Sequence, residues 1–289
     1  MKRLLLALGL AGSLAAPAFA ADQIPVVAAE NFYGDIGAAI GGSHVAVTSI
    51  LSNPDEDPHL FEASPSVARN LAAARLVIYN GADYDPWVAK LLAANSAPGR
   101  SVIVAADLTG KKPGDNPHLW YDPATMPAVA AAIAARLAAI DPADKADFDA
   151  NLAALDASLQ QVATKVAAIK AKFAGAEVTA TEPVFGYMAS ALGLKMRNES
   201  FQLAVMNDTE PSARDTAAME SDLKNARVKV LFYNSQVTDP LTERLLKLAN
   251  AAHVPVVGVS ETEPSGKTFA TWMLDQLDAT DKALAGPSS

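Results

Sequence analysis

Cysteine is absent from the 289 residues, and histidine occurs only four times. Without thiols there is no disulfide framework and no thiolate metal site, and the expectation is a protein with no lipid-attachment site either. Any metal site for a borderline cation must then draw on a few imidazoles and on carboxylates. Positive charge is also scarce: 23 Lys and Arg face 32 Asp and Glu, for a net charge of −9. Nucleic acids and anionic membrane surfaces favour basic patches, so neither is an expected partner. Beyond the first twenty residues no run is long and apolar enough to cross a bilayer, which needs roughly 20 such residues.

Residues 1–20 read as a cleavable secretory leader. Lys2 and Arg3 form a basic start, Leu4 to Ala16 an apolar run too short to span, and Ala18-Phe19-Ala20 the small residues of a cleavage site. Cleavage after Ala20 removes two cations and moves the net charge to −11. The expected location is therefore the bacterial periplasm, as a free soluble protein that is not a lipoprotein and does not insert into the membrane. The remaining chain of about 270 residues is enough for one large domain or two ordinary ones.

Two periodicities alternate along the chain. Strand-like segments begin at Ile24, Val45, Leu76 and Val102 (the last running to Ala106), with helices from Asn31 to about Gly42, from Pro65 to about Ala74 and from about Asp85 to Asn95. Ser64 and Pro65 supply a helix start. Strands separated by helices indicate βαβ units and a parallel sheet. From Asp141 to about Ala174 the alternation stops. Phe148, Leu152, Leu155, Leu159, Val162 and Val166 recur every three or four residues with no proline after Pro142, which reads as one helix of about 30 residues, ~45 Å long. Two helices with an unmarked break are the alternative. The alternation then resumes: strands at Glu177–Thr181, Val228–Tyr233 and Val254–Val259, with helices at Val184–Leu192, Pro211–Ala226, Pro240–Ala252 and Lys267–Ala285. The expected fold class is α/β: two lobes, 21–140 and 175–289, with mainly parallel sheets flanked by helices, joined by one long rigid helix at 141–174.

Ligands of open α/β sheets bind beyond the carboxyl ends of the strands. His59, His118, Glu182 and Glu261 all follow strand-like segments, two in each half, and two ligands from each half could close one site. Imidazole with carboxylate suits Zn²⁺, Mn²⁺ or Fe²⁺. Taken singly, none is distinctive. A lone loop histidine is usually solvated, and Glu182 and Glu261 read equally well as acids favoured at helix N-termini. His44 and His253 are assigned no role beyond polar or helix-end positions.

The flanking residues are more specific. Asp57-Pro-His-Leu-Phe-Glu-Ala-Ser-Pro, Asn116-Pro-His-Leu-Trp-Tyr-Asp-Pro, Val184-Phe-Gly-Tyr-Met and Asn80-Gly81 after Leu76-Val-Ile-Tyr together resemble the metal-binding receptors of bacterial ABC importers for zinc and manganese, from about Ile24 to the last helix. The resemblance implies His59 and His118 as imidazole ligands of the N-terminal lobe. It implies Glu182 as the third ligand, a position that is histidine in many zinc receptors and glutamate in manganese receptors. Ser260-Glu261-Thr262 aligns where the family usually has aspartate, which implies Glu261 as fourth ligand with Glu263 as fallback. The His- and Asp-rich loop of many zinc receptors is missing. A carboxylate in place of an imidazole hardens the site toward Mn²⁺, with Zn²⁺ close behind and Fe²⁺ third. The implied role is a monomeric receptor that captures one transition metal, closes slightly and delivers it to a membrane permease, without turnover. A secreted zinc-dependent hydrolase is the alternative from another class, although no His-Glu-x-x-His or nucleophile elbow is present. A metal-independent receptor for an organic solute is a third.

Overall fold

The computed structural model describes residues 23–54, 58, 61–237 and 239–286. The expected leader 1–20 and His59 lie outside the described residues. Ile24–Glu30 forms β1, buried at all but one position, as a strand covered on both faces must be. It is followed by α1 (Asn31–Gly41), β2 (Val45–Leu51), α2 (Pro65–Ala73), β3 (Leu76–Tyr79), α3 (Pro86–Ala94), β4 (Ser101–Val104) and α4 (Ala105–Thr109). The four strands lie in the order β2-β1-β3-β4, all parallel. The second half repeats this plan with β5 (Glu177–Ala180), β6 (Lys195–Arg197), β7 (Leu231–Asn234) and β8 (Val256–Val259) in the order β6-β5-β7-β8, again parallel. Between the halves stand α5 (Thr125–Ile140) and α6 (Lys145–Phe173). The second sheet carries α7 (Gly186–Ala191), α8 (Glu199–Met206), α9 (Ala213–Lys224), α10 (Pro240–Ala251) and α11 (Phe269–Ala285).

The expected long helix is present as one unbroken element of 29 residues, about 44 Å at 1.5 Å per residue. A 3-10 turn at Pro142–Asp144 precedes it, opened by Asp141 accepting from the Ala143 amide. Phe148, Leu159, Val162 and Val166 are its buried stripe, joined by Ile169, while Leu152 and Leu155 pack partly buried against the same core.

Four differences from the sequence expectation have local causes. The fourth strand ends at Val104, because Ala105 and Ala106 open α4, which Gly110 closes in left-handed backbone. α5 was not expected. Its alanine-rich sequence favours helix strongly, but carries little amphipathic contrast, since the face it exposes is also mostly alanine (Ala131, Ala135, Ala139). β6 and α8 were not expected either; a three-residue edge strand leaves almost no periodic trace. Lys267 and Thr268 precede α11 as its approach and capping residue and are not part of it.

One hydrophobic cluster runs through both lobes. It contains Val26, Ile36 and Ile78 from the first sheet layer, Val178, Phe185 and Val257 from the second, and Leu159 and Val162 from α6. The parallel strands of both lobes point their carboxyl ends at one another, and the candidate residues lie there.

Candidate metal centre

His118 is fully buried in the turn that follows Asn116-Pro117, immediately before a 3-10 turn at Leu119–Tyr121 whose three side chains are all in the core. Its orientation is fixed by Asn116. The Asn116 Nδ2 donates to the Pro183 carbonyl at 2.8 Å, so its Oδ1 is the atom turned to His118. That oxygen accepts from the His118 backbone N–H at 3.1 Å and faces Nδ1 at 2.7 Å. An amide oxygen can only accept, so Nδ1 carries a proton, and it is Nε2 that would offer a lone pair to a cation. Tyr187 also donates to the Asn116 carbonyl, at 2.8 Å, so this residue ties the two lobes together. Trp120 packs edge-on to the imidazole, 5.4 Å between centroids.

Beneath His118 lies the Asn80-Gly81 turn that ends β3. Asn80 donates to the Pro117 carbonyl at 2.8 Å and accepts from Tyr33 at 2.8 Å. The Asp85 carboxylate receives the amides of Asn80 and Gly81 at 2.6 and 2.8 Å. Gly81 has φ +77°, and a Cβ there would sit 2.7 Å from Val104 Cγ1, so only glycine fits. Glu30, the fully buried last residue of β1, lies beside Asp85. Burial, and then the charge and hydrogen bond of Asp85, hold the Glu30 carboxyl well above the usual carboxylate range. Burial also raises Asp85 to about 6, against the hydrogen bonds from Gly81 and Asn80 that lower it.

The second lobe contributes two carboxylates. Glu261 follows β8 and is fully buried. Its Oε2 lies 3.3 Å from His118 Nε2 and accepts from the Tyr84 hydroxyl at 3.0 Å. Its Oε1 accepts from Asn234 Nδ2 at 2.6 Å. Glu182, 4% exposed, follows β5 at the head of the turn Pro183–Phe185. Its Oε2 accepts from the same Asn234 nitrogen at 3.3 Å. Gln236 Oε1 receives the Glu261 and Thr262 amides. Tyr84 is held protonated, its hydroxyl pushed well up by burial and then by the charges of Glu261 and Glu30.

The structure therefore brings His118, Glu182 and Glu261 together, and His59 lies outside the described residues. Glu263 faces elsewhere. Its backbone bonds Asn31 on α1 in both directions, at 3.0 and 2.7 Å. Burial, and then the charge of Asp35, raise its carboxyl to about 8. His44 is not merely a polar surface residue: Nδ1 meets Asp144 at 2.7 Å and Nε2 meets Asp147 at 3.0 Å, at the end of the N-lobe sheet away from the cleft. Its two ring nitrogens each face a separate carboxylate. His253 sits exposed beyond α10 in left-handed backbone, φ +55°.

Sequence reasoning missed Asn234, Tyr84, Asn116 and the Glu30–Asp85 pair as parts of the site. Asn234 was visible only as a polar residue ending a strand, and Asn116 only as part of a motif. Chemically, two buried carboxylates here are bonded by neutral donors, an amide and a phenol, and the Nε2 of a buried imidazole lies 3.3 Å from one of them. Neutral donors do not balance anionic charge, so this arrangement suits a cation.

Residues 26–283 match the family described as ZnuA, zinc-uptake complex component A, periplasmic. The chain is 25% identical to the manganese ABC transporter substrate-binding lipoprotein PsaA of Streptococcus pneumoniae, over 91% of this chain and 89% of that protein. It is 26% identical to the iron ABC transporter substrate-binding lipoprotein MtsA of Streptococcus pyogenes serotype M1, over 91% and 90%. Its fold is that of the periplasmic zinc binding protein TroA from Treponema pallidum, with a TM-score of 0.76, 19% identity, and coverage of 91% of this chain and 99% of that one. The relatives correct one expectation. PsaA and MtsA are named as lipoproteins, so the placement as a free periplasmic protein that is not a lipoprotein is withdrawn. The lack of cysteine bears on one anchoring chemistry and does not establish how such a receptor is kept near its membrane partner.

Proposed function

The chain belongs to the ZnuA family, the periplasmic metal-binding receptors of ABC importers, and from that membership we propose that it carries one first-row divalent cation held by His59, His118, Glu182 and Glu261. Members of this family are substrate-binding components that work with a membrane permease and its ATPase, not enzymes; the hydrolase reading is without support. The cation is cargo. It enters between the lobes, is held while they close slightly, and is released to the permease by a monomeric receptor. The lobes divide at 21–140 and 175–289, with 141–174 as the helix between them.

The observation that carries the ligand set is the approach of His118 Nε2 to Glu261 Oε2, 3.3 Å, across the lobe boundary in a fully buried setting. Two donors each ~2.0–2.1 Å from one tetrahedral ion stand about 3.3 Å apart. Glu182 shares the Asn234 amide with Glu261, which supports counting both carboxylates in one site. Glu261 serves as the fourth ligand and Glu263, turned to α1, does not. Two imidazoles and two carboxylates form a set harder than three imidazoles and one carboxylate, which admits Mn²⁺ and Fe²⁺ alongside Zn²⁺. PsaA is named for manganese, MtsA for iron and TroA for zinc, so the family scaffold accommodates each.

Elemental analysis and calorimetry of the purified protein test this. One equivalent of divalent metal per chain is expected, with severe weakening in His59→Ala, His118→Ala and Glu261→Ala. Failure to bind any first-row divalent cation at micromolar concentration refutes the ligand set.

A further inference from the structure

A carboxylate can give a metal one oxygen or two, and that choice sets the coordination number. Zn²⁺ sites settle at four ligands, whereas Mn²⁺ favours six oxygen-rich ones. Whatever fixes the denticity of Glu182 and Glu261 therefore biases the choice of metal.

The two oxygens of Glu261 have different partners. Oε2 is the one near His118 Nε2, while Oε1 is taken by Asn234 Nδ2 at 2.6 Å. The same Nδ2 reaches Glu182 Oε2 at 3.3 Å. An amide nitrogen has two protons, one for each carboxylate. Asn234 cannot turn away from this task. Its Oδ1 accepts from the Gln236 backbone N–H at 3.1 Å, which assigns the amide nitrogen to the carboxylates. Its own backbone N–H donates to Thr181 Oγ1 at 3.3 Å, and the residue is 1% exposed at the end of β7. The amide is thus locked from behind and directed at both acids at once.

We infer that Asn234 is a specificity-determining positioning residue. It occupies one oxygen of each carboxylate, restricts both to single-oxygen ligation, and so shapes a four-coordinate site that favours Zn²⁺ over Mn²⁺. This works against the hardness of the two-carboxylate set, which leans toward Mn²⁺. It rests on the ligand set proposed above. The 3.3 Å edge between His118 and Glu261 is the tetrahedral value, about 3.3 Å for bonds of ~2.0–2.1 Å. Without the amide, both carboxylates are released to swing and bind through two oxygens.

Co²⁺ is the probe, because four-coordinate Co²⁺ absorbs intensely in the visible and six-coordinate Co²⁺ only weakly. The full chain is compared with Asn234→Ala and with Asn234→Ser, which is the smaller perturbation if the alanine variant folds poorly; circular dichroism checks both. Competition titrations with Zn²⁺ and Mn²⁺ accompany the spectra. The expected result is an intense spectrum for the unaltered chain and weaker bands in the variants. The Zn²⁺ to Mn²⁺ affinity ratio should fall at least tenfold, the lower end of outer-shell effects on metal affinity. A weak spectrum in the unaltered chain overturns the inference. So does an unchanged ratio in the variants, or an equal loss for both metals with unchanged bands. His118→Ala and Glu261→Ala separate the two levels: if they bind Co²⁺ normally the ligand set is wrong, and if they alone lose binding only the role of Asn234 is.

Discussion

Replacing Asn116 by alanine should separate two effects that a single side chain combines. The substitution removes three hydrogen bonds: His118 N–H to Oδ1 at 3.1 Å, His118 Nδ1–H to Oδ1 at 2.7 Å, and Nδ2–H to the Pro183 carbonyl at 2.8 Å. At about 1 kcal/mol net each, the metal-free protein should lose up to ~3 kcal/mol. The imidazole then no longer has a partner that fixes which nitrogen is protonated, nor one that fixes its ring plane. Removing such a partner lowers metal affinity by about 10- to 100-fold, or about 1.4–2.7 kcal/mol. Denaturant titration of the metal-free protein measures the first effect, and competition with a chromophoric chelator the second. Asn116→Asp discriminates further. It keeps an oxygen for His118 but puts a carboxylate oxygen against the Pro183 carbonyl, so stability should fall while most of the metal affinity remains. An alanine variant that is destabilised yet binds metal as tightly as the unaltered chain would refute the reasoning, leaving Asn116 as a tie between lobes and nothing more.

The buried acids of the first lobe give a pH prediction. Glu30 and Asp85 both titrate above their ordinary values in the folded state, so their contribution is present below about pH 4 and is lost as pH rises. For Asp85, moved from 3.8 to about 6, the loss amounts to about 3 kcal/mol. Glu30→Gln should flatten the decline in urea midpoint from pH 4 to 8 in metal-free protein, and an unchanged slope contradicts the pairing. Gly81→Ala should cost about 1–3 kcal/mol, from its left-handed backbone and the 2.7 Å approach to Val104 Cγ1; a variant with an unchanged denaturation midpoint contradicts this. Asp222 behaves oppositely to Glu30. Burial raises its carboxyl, but the Arg197 and Asn198 hydrogen bonds outweigh this and hold it below the usual range, so its contribution is present above about pH 4 and lost on acidification. Arg197→Ala should therefore move the acid-unfolding midpoint upward, and an unmoved midpoint would show the pair to be ornamental to stability.

The two-lobe parallel plan and the long helix were legible because their signals are local. β-rich apolar runs end at turn residues, and α6 repeats its apolar stripe over eight turns. α5 was not legible because its exposed face is itself mostly alanine (Ala131, Ala135 and Ala139), so no polar stripe sets its phase. The segments flanking His118, Glu182 and Glu261 were legible too, as short stretches beyond strands: Glu182 and Glu261 just after β5 and β8, His118 after β4 and the short α4. The contacts that bring them together were not legible in any motif, even where a residue such as Asn116 belonged to one. Asn116 acts on His118 two residues away but also on Pro183, 67 positions on; Asn234 joins residues 52 and 27 positions distant. The Asn116 pairing exists only once the two sheets face each other, and the Asn234 pairings only once β5, β7 and β8 lie side by side in the second sheet. Glu261 against Glu263 shows the limit most clearly: two glutamates in one loop, one bonded to Tyr84 and Asn234, the other tied through its backbone to Asn31 on α1.

How far the lobes can part follows from what joins them. Tyr121, from the first lobe, stacks edge-on to Phe185 of the second at 5.3 Å, and Phe185 stacks on Phe232 at 4.5 Å. Trp272 on α11 lies 6.0 Å from Phe32 on α1. Tyr121 also donates to the Ser260 carbonyl at 2.9 Å, one residue from Glu261. Each of these aromatic side chains buries 150–250 Å², so exposing even two of them costs roughly 8–12 kcal/mol at about 25 cal/mol per Å². That exceeds the few kcal/mol separating conformations that a bound ligand normally shifts. A wide opening of this seam would therefore be costly, and α6 packs along both lobes, against α1 and α5 of the first and α11 of the second. Movement on the cleft side of this aromatic seam is expected to cost less. There, Tyr84 and His118 on one wall meet Glu261 on the other at 3.0 and 3.3 Å, contacts that would have to part for the proposed ion to enter or leave.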